Sequence, residues 1–516
     1  MSSHLPIMPI VLPLVLAALL LMSERRGIAF QRVLAGVGTL VLAVLAIGLL
    51  QLAADDGITV YRLGNWPAHL GISLVVDRLA AIMVLTTSLL AIACLLHACA
   101  GWDRRAPHFH ALFQLQLMGL NGAFLTGDLF NLFVFFEVLL AASYGLLLGG
   151  ARGGRVRRGF HYVVFNIAAS TLFLIALGLV YGLFGTLNMA EMATRIASLP
   201  VADRALMQAV FGLLLVVFCA KGALLPLYVW LPLTYGGAQA AVAALFVMLT
   251  KVGAYAVLRV FTLMFAADAA LAGPAWEWLL PAGLATLLLA GFGTMAAVRL
   301  RVLVAYLVLA SAGTLFVAVA LGTAQSIGAG LYYLMHGVFA VAALFLIAEA
   351  VRERRGTDRI NLVLPMLDRA LPGTLYLIAA VAVIGLPPLS GFIGKLGILE
   401  AVPMGQVGWI YLAVLTSSFF VLVAMTRSGS RLFWRMPTPE RPAALVPRIL
   451  PSTRLGRRRE TSAIILLLGY VLGLSVLAGP ALDYTMACGQ QLLRQGDYLR
   501  ASLATDAPPG EHGAAP

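Results

Sequence analysis

Lysine is close to absent from this chain. Of 35 basic residues only three are lysines, Lys221, Lys251 and Lys395, and the other 32 are arginines. Charge of either sign is scarce as well, with 11% of residues charged against 61% hydrophobic and a mean hydropathy of +0.96. A soluble domain carries about 25% charge, so this shortage excludes one and points to a polytopic membrane protein. Cysteine is scarce too, with four residues. Cys94, Cys99, Cys219 and Cys488 lie mostly in apolar surroundings without paired ligand spacing, which argues against an iron–sulfur or zinc motif and leaves them as packing residues. The chain also lacks an HExxH motif, a GxSxG elbow and a Gly-rich phosphate loop followed by Lys. A membrane enzyme or a resident cofactor is therefore not expected. No ring of like charges suggests an uncoupled channel either.

Long apolar runs are what the chain has in abundance. Runs of about 20 residues, the length that spans a bilayer, fall near 5–22, 33–53, 71–98, 110–128, 129–149, 160–184, 205–235, 238–265, 278–298, 302–321, 326–351, 373–400, 407–426 and 462–487. That pattern predicts an all-α membrane protein of about 14 helices. The first run has no basic stretch before it, since Arg25 and Arg26 follow it, so it reads as a retained helix rather than a cleaved signal.

The net charge of +13 would suit nucleic acid, but its placement favours a membrane. Arginines crowd the loops after odd-numbered segments and are few in the others, which predicts those loops in the cytoplasm and both termini outside. The stretch 427–461 is the longest such loop, with contact to anionic lipid as a secondary role. Residues 488–516 read as a polar tail.

Two segments carry proline in their middle: 205–235, with Pro226 and Pro232, and 373–400, with "GLPPLSGFIGKLG" around Pro387 and Pro388. Proline frees the carbonyl four residues back, so Pro226 releases that of Gly222 and the later pair releases those of Val383 and Ile384. Broken helices at a membrane midplane mark transport sites. The seventh and twelfth segments are five apart, an odd offset that reverses the second unit and suggests inverted repeats. Lys221 accordingly precedes its break, whereas Lys395 follows its own.

A charge at the bilayer centre costs about 2.5–3.5 kcal/mol on insertion scales, so each needs a reason. Glu137 lies nine residues after Asp128, near the midplane, with Lys221 as its expected partner. A lysine in a dry site can give up its proton, whereas a guanidinium stays charged. A chain that otherwise writes positive charge as arginine thus keeps lysine where a proton must leave. Lys251 can approach Lys221 across a hairpin, and His336 can pass protons between its two nitrogens. Arg259 is expected to snorkel to the surface, Glu349 to form a surface pair, and Asp77 and Arg78 to be structural with separate partners. The titratable series is then Glu137, Lys221, Lys251, His336, Lys395.

The stretches "GDLFNLFVFFEVLLAASYGLL", "AKGALLPLYVWLP", "AVAALFVMLTKVGAYAVLRVFTL" and "GLPPLSGFIGKLGILEA" resemble the proton-translocating antiporter-like family, shared by Mrp-type monovalent cation/proton antiporters and respiratory complex I. The resemblance covers roughly 70–430 and is greatest to the D-type subunits. It implies a 14-helix fold with two inverted five-helix repeats, each containing a broken helix: segments 1–3 in 1–109, the repeats in 110–265 and 278–426, and one last helix at 462–487. It also implies that Glu137 is the essential carboxylate, Lys221 its lysine partner, Lys251 the bridging lysine, His336 the central relay and Lys395 the terminal group. Many relatives carry a further lysine four or five residues after that histidine, where Ala340 and Val341 stand here. The implied partners are subunits of A, B, C, E, F and G type in a bacterial cytoplasmic-membrane complex, moving protons against sodium or potassium. The alternative is a subunit of a complex I-like quinone oxidoreductase or a related membrane hydrogenase.

Overall fold

Lipid offers a backbone no hydrogen-bonding partner, so each span must satisfy its own N–H and C=O groups as a helix. The computed structural model of the protein describes residues 2–55, 57–66, 71–150, 154–265, 269–362, 366, 368–435 and 454–504. Its helices are α1 (Met8–Met22), α2 (Ile28–Asp55), α3 (Arg78–Ala98), α4 (Phe109–Leu125), α5 (Leu129–Leu148), α6 (Gly154–Phe184), α7 (Met189–Ala197), α8 (Arg204–Lys221), α9 (Trp230–Gly237) and α10 (Ala240–Phe265). They continue as α11 (Pro274–Glu277), α12 (Leu279–Ala296), α13 (Leu300–Ala320), α14 (Ala324–Arg355), α15 (Ala370–Ile384), α16 (Ser390–Glu400), α17 (Val407–Gly429), α18 (Arg454–Val476), α19 (Ala478–Leu493) and α20 (Gln495–Leu503). A two-stranded hairpin, β1 (Thr59–Arg62) and β2 (Ser73–Val76), pairs antiparallel with Thr59 opposite Val76.

Among the described residues, 12 helices are long and apolar enough to cross a membrane. The expected segments at 110–128 and 373–400 correspond to the 17-residue α4 and to the broken pair α15/α16, which stand outside those 12. Helices that are apolar all round belong in the interior. In α10 every residue of the most apolar window is buried, and in α14 94% are, against 33% in α18. These two central helices carry Lys251 and His336.

Two close approaches hold the centre together. A Cβ on Gly253 of α10 would lie 2.4 Å from the backbone nitrogen of Gly222, just after α8, so the backbones meet where neither residue has a side chain. A Cβ on Gly391 of α16 would lie 2.3 Å from the carbonyl of Ala382 in α15.

The ends of the bundle differ. At one, Asp77 caps α3 and Asp128 caps α5, each accepting a backbone N–H at 2.8 Å. The hairpin, α7 and the C-terminal helices gather there, with α20 packed on α7. At the other, where arginines abound, Arg299 and Arg359 form a backbone bridge.

The C-terminal region departs from expectation. The last span runs over Leu455–Val476 rather than 462–487, and the part of the expected polar tail before residue 505 is helical and docked on the bundle. The contact explains it, because Gly489 of α19 lies against the carbonyl of Ala324 and Gly328 of α14 lies under Met486. Cys488 is consequently fully buried, in keeping with a packing role. Cys94 and Cys219 are buried too, in keeping with a packing role, while Cys99 is partly exposed. Most of the 427–461 loop, from 436 to 453, lies outside the described residues, as does 505–516.

Candidate functional site

The first break opens immediately after Lys221, the last residue of α8. Residues 222–229 leave the helix before α9 resumes at Trp230. The indole of Trp230 donates to the carbonyl of Ala220 at 3.2 Å, which also accepts the Ala223 N–H, and the hydroxyl of Thr286 accepts the Leu225 N–H at 2.9 Å. Pro226 lies within the break. Pro232 does not: it sits in the first turn of α9, where its missing N–H has no intrahelical partner to lose.

Lys221 is 4% exposed and donates to the hydroxyl of Ser170 on α6 at 2.9 Å. Its ammonium also lies 5.7 Å from the ring centre of Phe136. Glu137, next to that phenylalanine on α5, is the charged group that bears on it. The expected direct ion pair is not made: the ammonium of Lys221 bonds Ser170, and among the described residues Oε1 of Glu137 is buried without a hydrogen-bond partner.

The second break lies between α15 and α16 and contains both Pro387 and Pro388. The ammonium of Lys395 donates to the carbonyl of Ile384 at 2.8 Å and to Ser418 at 3.1 Å. One of the carbonyls that the prolines free is therefore taken by the lysine of the same break. His336, 1% exposed, bridges this break as well, with Nδ1 2.9 Å from the Ser390 hydroxyl and its ring facing the carbonyl of Ala382. Gly391 makes room for it, since a Cβ there would stand 2.6 Å from Nε2.

Lys251 joins the halves. It is fully buried on α10 and donates to Ser311 of α13 at 2.7 Å. Ser311 lines a cavity of about 20 Å³ shared with Thr314, His336, Lys395 and Ser418. A water needs about 10–15 Å³ and two to four polar partners. The cavity therefore has room for one water between the hydroxyl bonded to Lys251 and the imidazole and ammonium of the second break. With Gly222 and Gly253 in contact, four of the five expected residues form a sequence along the bundle, and Glu137 stands at its head.

The serines that complete the site, Ser170, Ser311, Ser390 and Ser418, were not singled out in the sequence. Each partner lies between 23 and 60 residues away, and serine is common in apolar helices, so spacing gave no signal.

Other charges need correction. Arg259 does not snorkel. It is 3% exposed and forms a two-pronged ion pair with Asp77, one prong at 2.7 Å, between the rings of Tyr255 and Tyr498. The capping carboxylate lies level with the C-terminal part of α10, and a guanidinium matches it better than water reached through lipid would. Arg78 does have separate partners, the carbonyl of Ala54 and the ring of Tyr484. Glu349 pairs with Arg352 at 3.0 Å but is buried rather than superficial. Cys99, Asp103 and His110 bring donor atoms within 4.8 Å of one another, a convergence their spacing did not reveal. Arg32, however, bonds both oxygens of Asp103. Burial would push this carboxyl up, but the bonds from Arg32 and His110 hold it down at about 2, so the group is an ion-pair node.

The family model described as NADH:quinone oxidoreductase/Mrp antiporter, TM, matches residues 126–421. Over 95% of its length the chain is 40% identical to the D-type subunit of a probable K(+)/H(+) antiporter from Rhizobium meliloti, covering 96% of that protein. It is 34% identical to the D-type subunit of the Na(+)/H(+) antiporter of Bacillus subtilis, covering 96% of this chain and 99% of the relative. Among solved structures, a chain of the Mrp complex from a Dietzia species superposes with a TM-score of 0.85 at 26% identity, covering 97% of this chain and 99% of that one.

Proposed function

Because the chain belongs to the NADH:quinone oxidoreductase/Mrp antiporter family of membrane proteins, we propose that it is the D-type, proton-conducting subunit of a multisubunit sodium or potassium/proton antiporter. Similarity to proteins named antiporter subunits over nearly the whole length favours this over a subunit of a quinone reductase. The partners are then A, B, C, E, F and G type subunits in a bacterial cytoplasmic membrane. The arginine-rich end faces the cytoplasm, and the termini lie outside.

Protons move along Glu137, Lys221, Lys251, His336 and Lys395. The observation that carries this reading is the continuity from Lys251 through Ser311 to a water-sized cavity walled by His336 and Lys395. Each lysine meets a neutral hydroxyl rather than a carboxylate. Nothing therefore locks its proton in place, and a change at Glu137 reaches the ammonium of Lys221 through the low-dielectric interior. In the absence of a second intramembrane lysine near Ala340, the middle of the relay runs through His336 and a water in the cavity.

The test is exchange in vesicles carrying the whole complex. Glu137→Gln keeps the shape and removes the charge, and is expected to abolish exchange while the complex still co-purifies. Wild-type rates in a fully assembled variant would refute the relay.

A further inference from the structure

A second group of titratable side chains lies away from this relay, at the arginine-rich end where α3, α14 and α18 pack together. Glu460, at the start of α18, is 6% exposed, and its Oε2 has no hydrogen-bond partner. The acidic group that bears on it most strongly is Glu353, near the end of α14. Two carboxylate oxygens cannot bond each other, whereas a carboxyl and a carboxylate can, sharing one proton. The missing partner of Glu460 is thus a proton.

His97 of α3 supplies an independent sign. It is 3% exposed, and neither ring nitrogen has a hydrogen-bond partner, although an imidazole always offers a donor or an acceptor at each nitrogen. Glu349, one turn before Glu353 on α14, is the charged group that bears on it. The surrounding cations are Arg352, bonded to Glu349; Arg354, turned back to the carbonyl of Ala350; Arg301 of α13, paired with Asp358; and Arg459 of α18, bonded to the carbonyl of Cys99. None of the four bonds Oε2 of Glu460 or the ring of His97.

We propose that His97, Glu349, Glu353 and Glu460 form a proton-binding station at the arginine-rich end, separate from the relay, which holds one proton between Glu353 and Glu460 and exchanges it with bulk water. Its role in exchange rests on the antiporter reading above. A station of this kind matters most when protons are scarce, since it raises their local supply beside a surface whose arginines repel them. α14 carries both Glu349 and His336, which makes it the element that links this station to the relay.

The purified whole complex tests both parts. The infrared C=O stretch of a buried protonated carboxyl should be present in the wild type and lost in Glu460→Gln and in Glu353→Gln. In vesicles, the assembled Glu460→Gln complex should show a several-fold loss of exchange at alkaline pH and near-normal exchange at acidic pH. Glu460→Asp retains a carboxyl and covers a failure of the Gln variant to assemble: its band should move in frequency. A band unchanged in these variants overturns the site, and exchange unaltered at every pH overturns its role. Normal exchange in Glu137→Gln, with the carboxyl band still abolished by Glu460→Gln, would instead remove the relay and leave the station standing.

Discussion

The lysines at both breaks donate to hydroxyl groups, while the buried arginine in the C-terminal part of α10 grips a carboxylate. The contrast follows from chemistry. A guanidinium keeps its charge and offers a fixed fork, so it suits the permanent pair with Asp77, whereas an ammonium among neutral oxygens is free to lose its proton. Removing one partner of a buried pair strands the other, at a cost of about 3–5 kcal/mol. Arg259→Ala should therefore lower the thermal midpoint of the purified complex markedly, with Asp77→Asn showing a similar loss. Arg259→Lys loses the second prong and should fall between. A midpoint unchanged in all three would mean that the pair contributes nothing to stability. The pair was not legible in the sequence, because its members stand 182 residues apart and Asp77 also reads as a helix cap.

At the scale of elements, the breaks were legible and their repair was not. Proline inside an apolar run announces freed carbonyls, and Pro226, Pro387 and Pro388 do lie where the helices stop. Which groups satisfy those carbonyls is set by the folded structure: Lys395, eleven residues on, takes that of Ile384. The terminal helices misled for a different reason. Residues 462–487 carry a single charge, Asp483, in an otherwise largely apolar run, yet the chain turns at Leu477, just before Gly479 and Pro480, and α19 then packs on α14 through Met486 and Gly489. The contact of α8 with α10 gives the sharpest test at this scale. A side chain at Gly253 would press on backbone atoms of Gly222 and Phe218, at 2.4 and 2.7 Å, which cannot turn aside. Overpacking of this kind costs about 1–3 kcal/mol. Gly253→Val should thus leave an assembled complex whose exchange is severely reduced, because Lys221 and Lys251 are driven apart. Full exchange would show that their helices need not touch.

The whole molecule is two broken helices of opposite direction joined through α10, α13 and α14. Four crossings, α10, α12, α13 and α14, separate the breaks, so the half-helices enter the centre from opposite ends. The proposed sidedness rests on arginine placement, and it predicts that a cysteine at Ser452 resists impermeant thiol reagents in intact cells. Labelling there would invert the proposed orientation and with it the side on which Glu353 and Glu460 meet water. The central claim is that protons come off the lysines, and it is tested by substituting charge for charge. Arg keeps the positive end at position 221 but cannot release a proton under any physiological condition. Sodium- or potassium-driven proton flux should therefore be measured in vesicles holding the Lys221→Arg complex, after co-purification has verified its assembly. The expected result is a loss of at least about 100-fold, the scale of a missing acid–base group; flux near the wild-type rate would contradict the relay and reduce Lys221 to electrostatic support for Glu137.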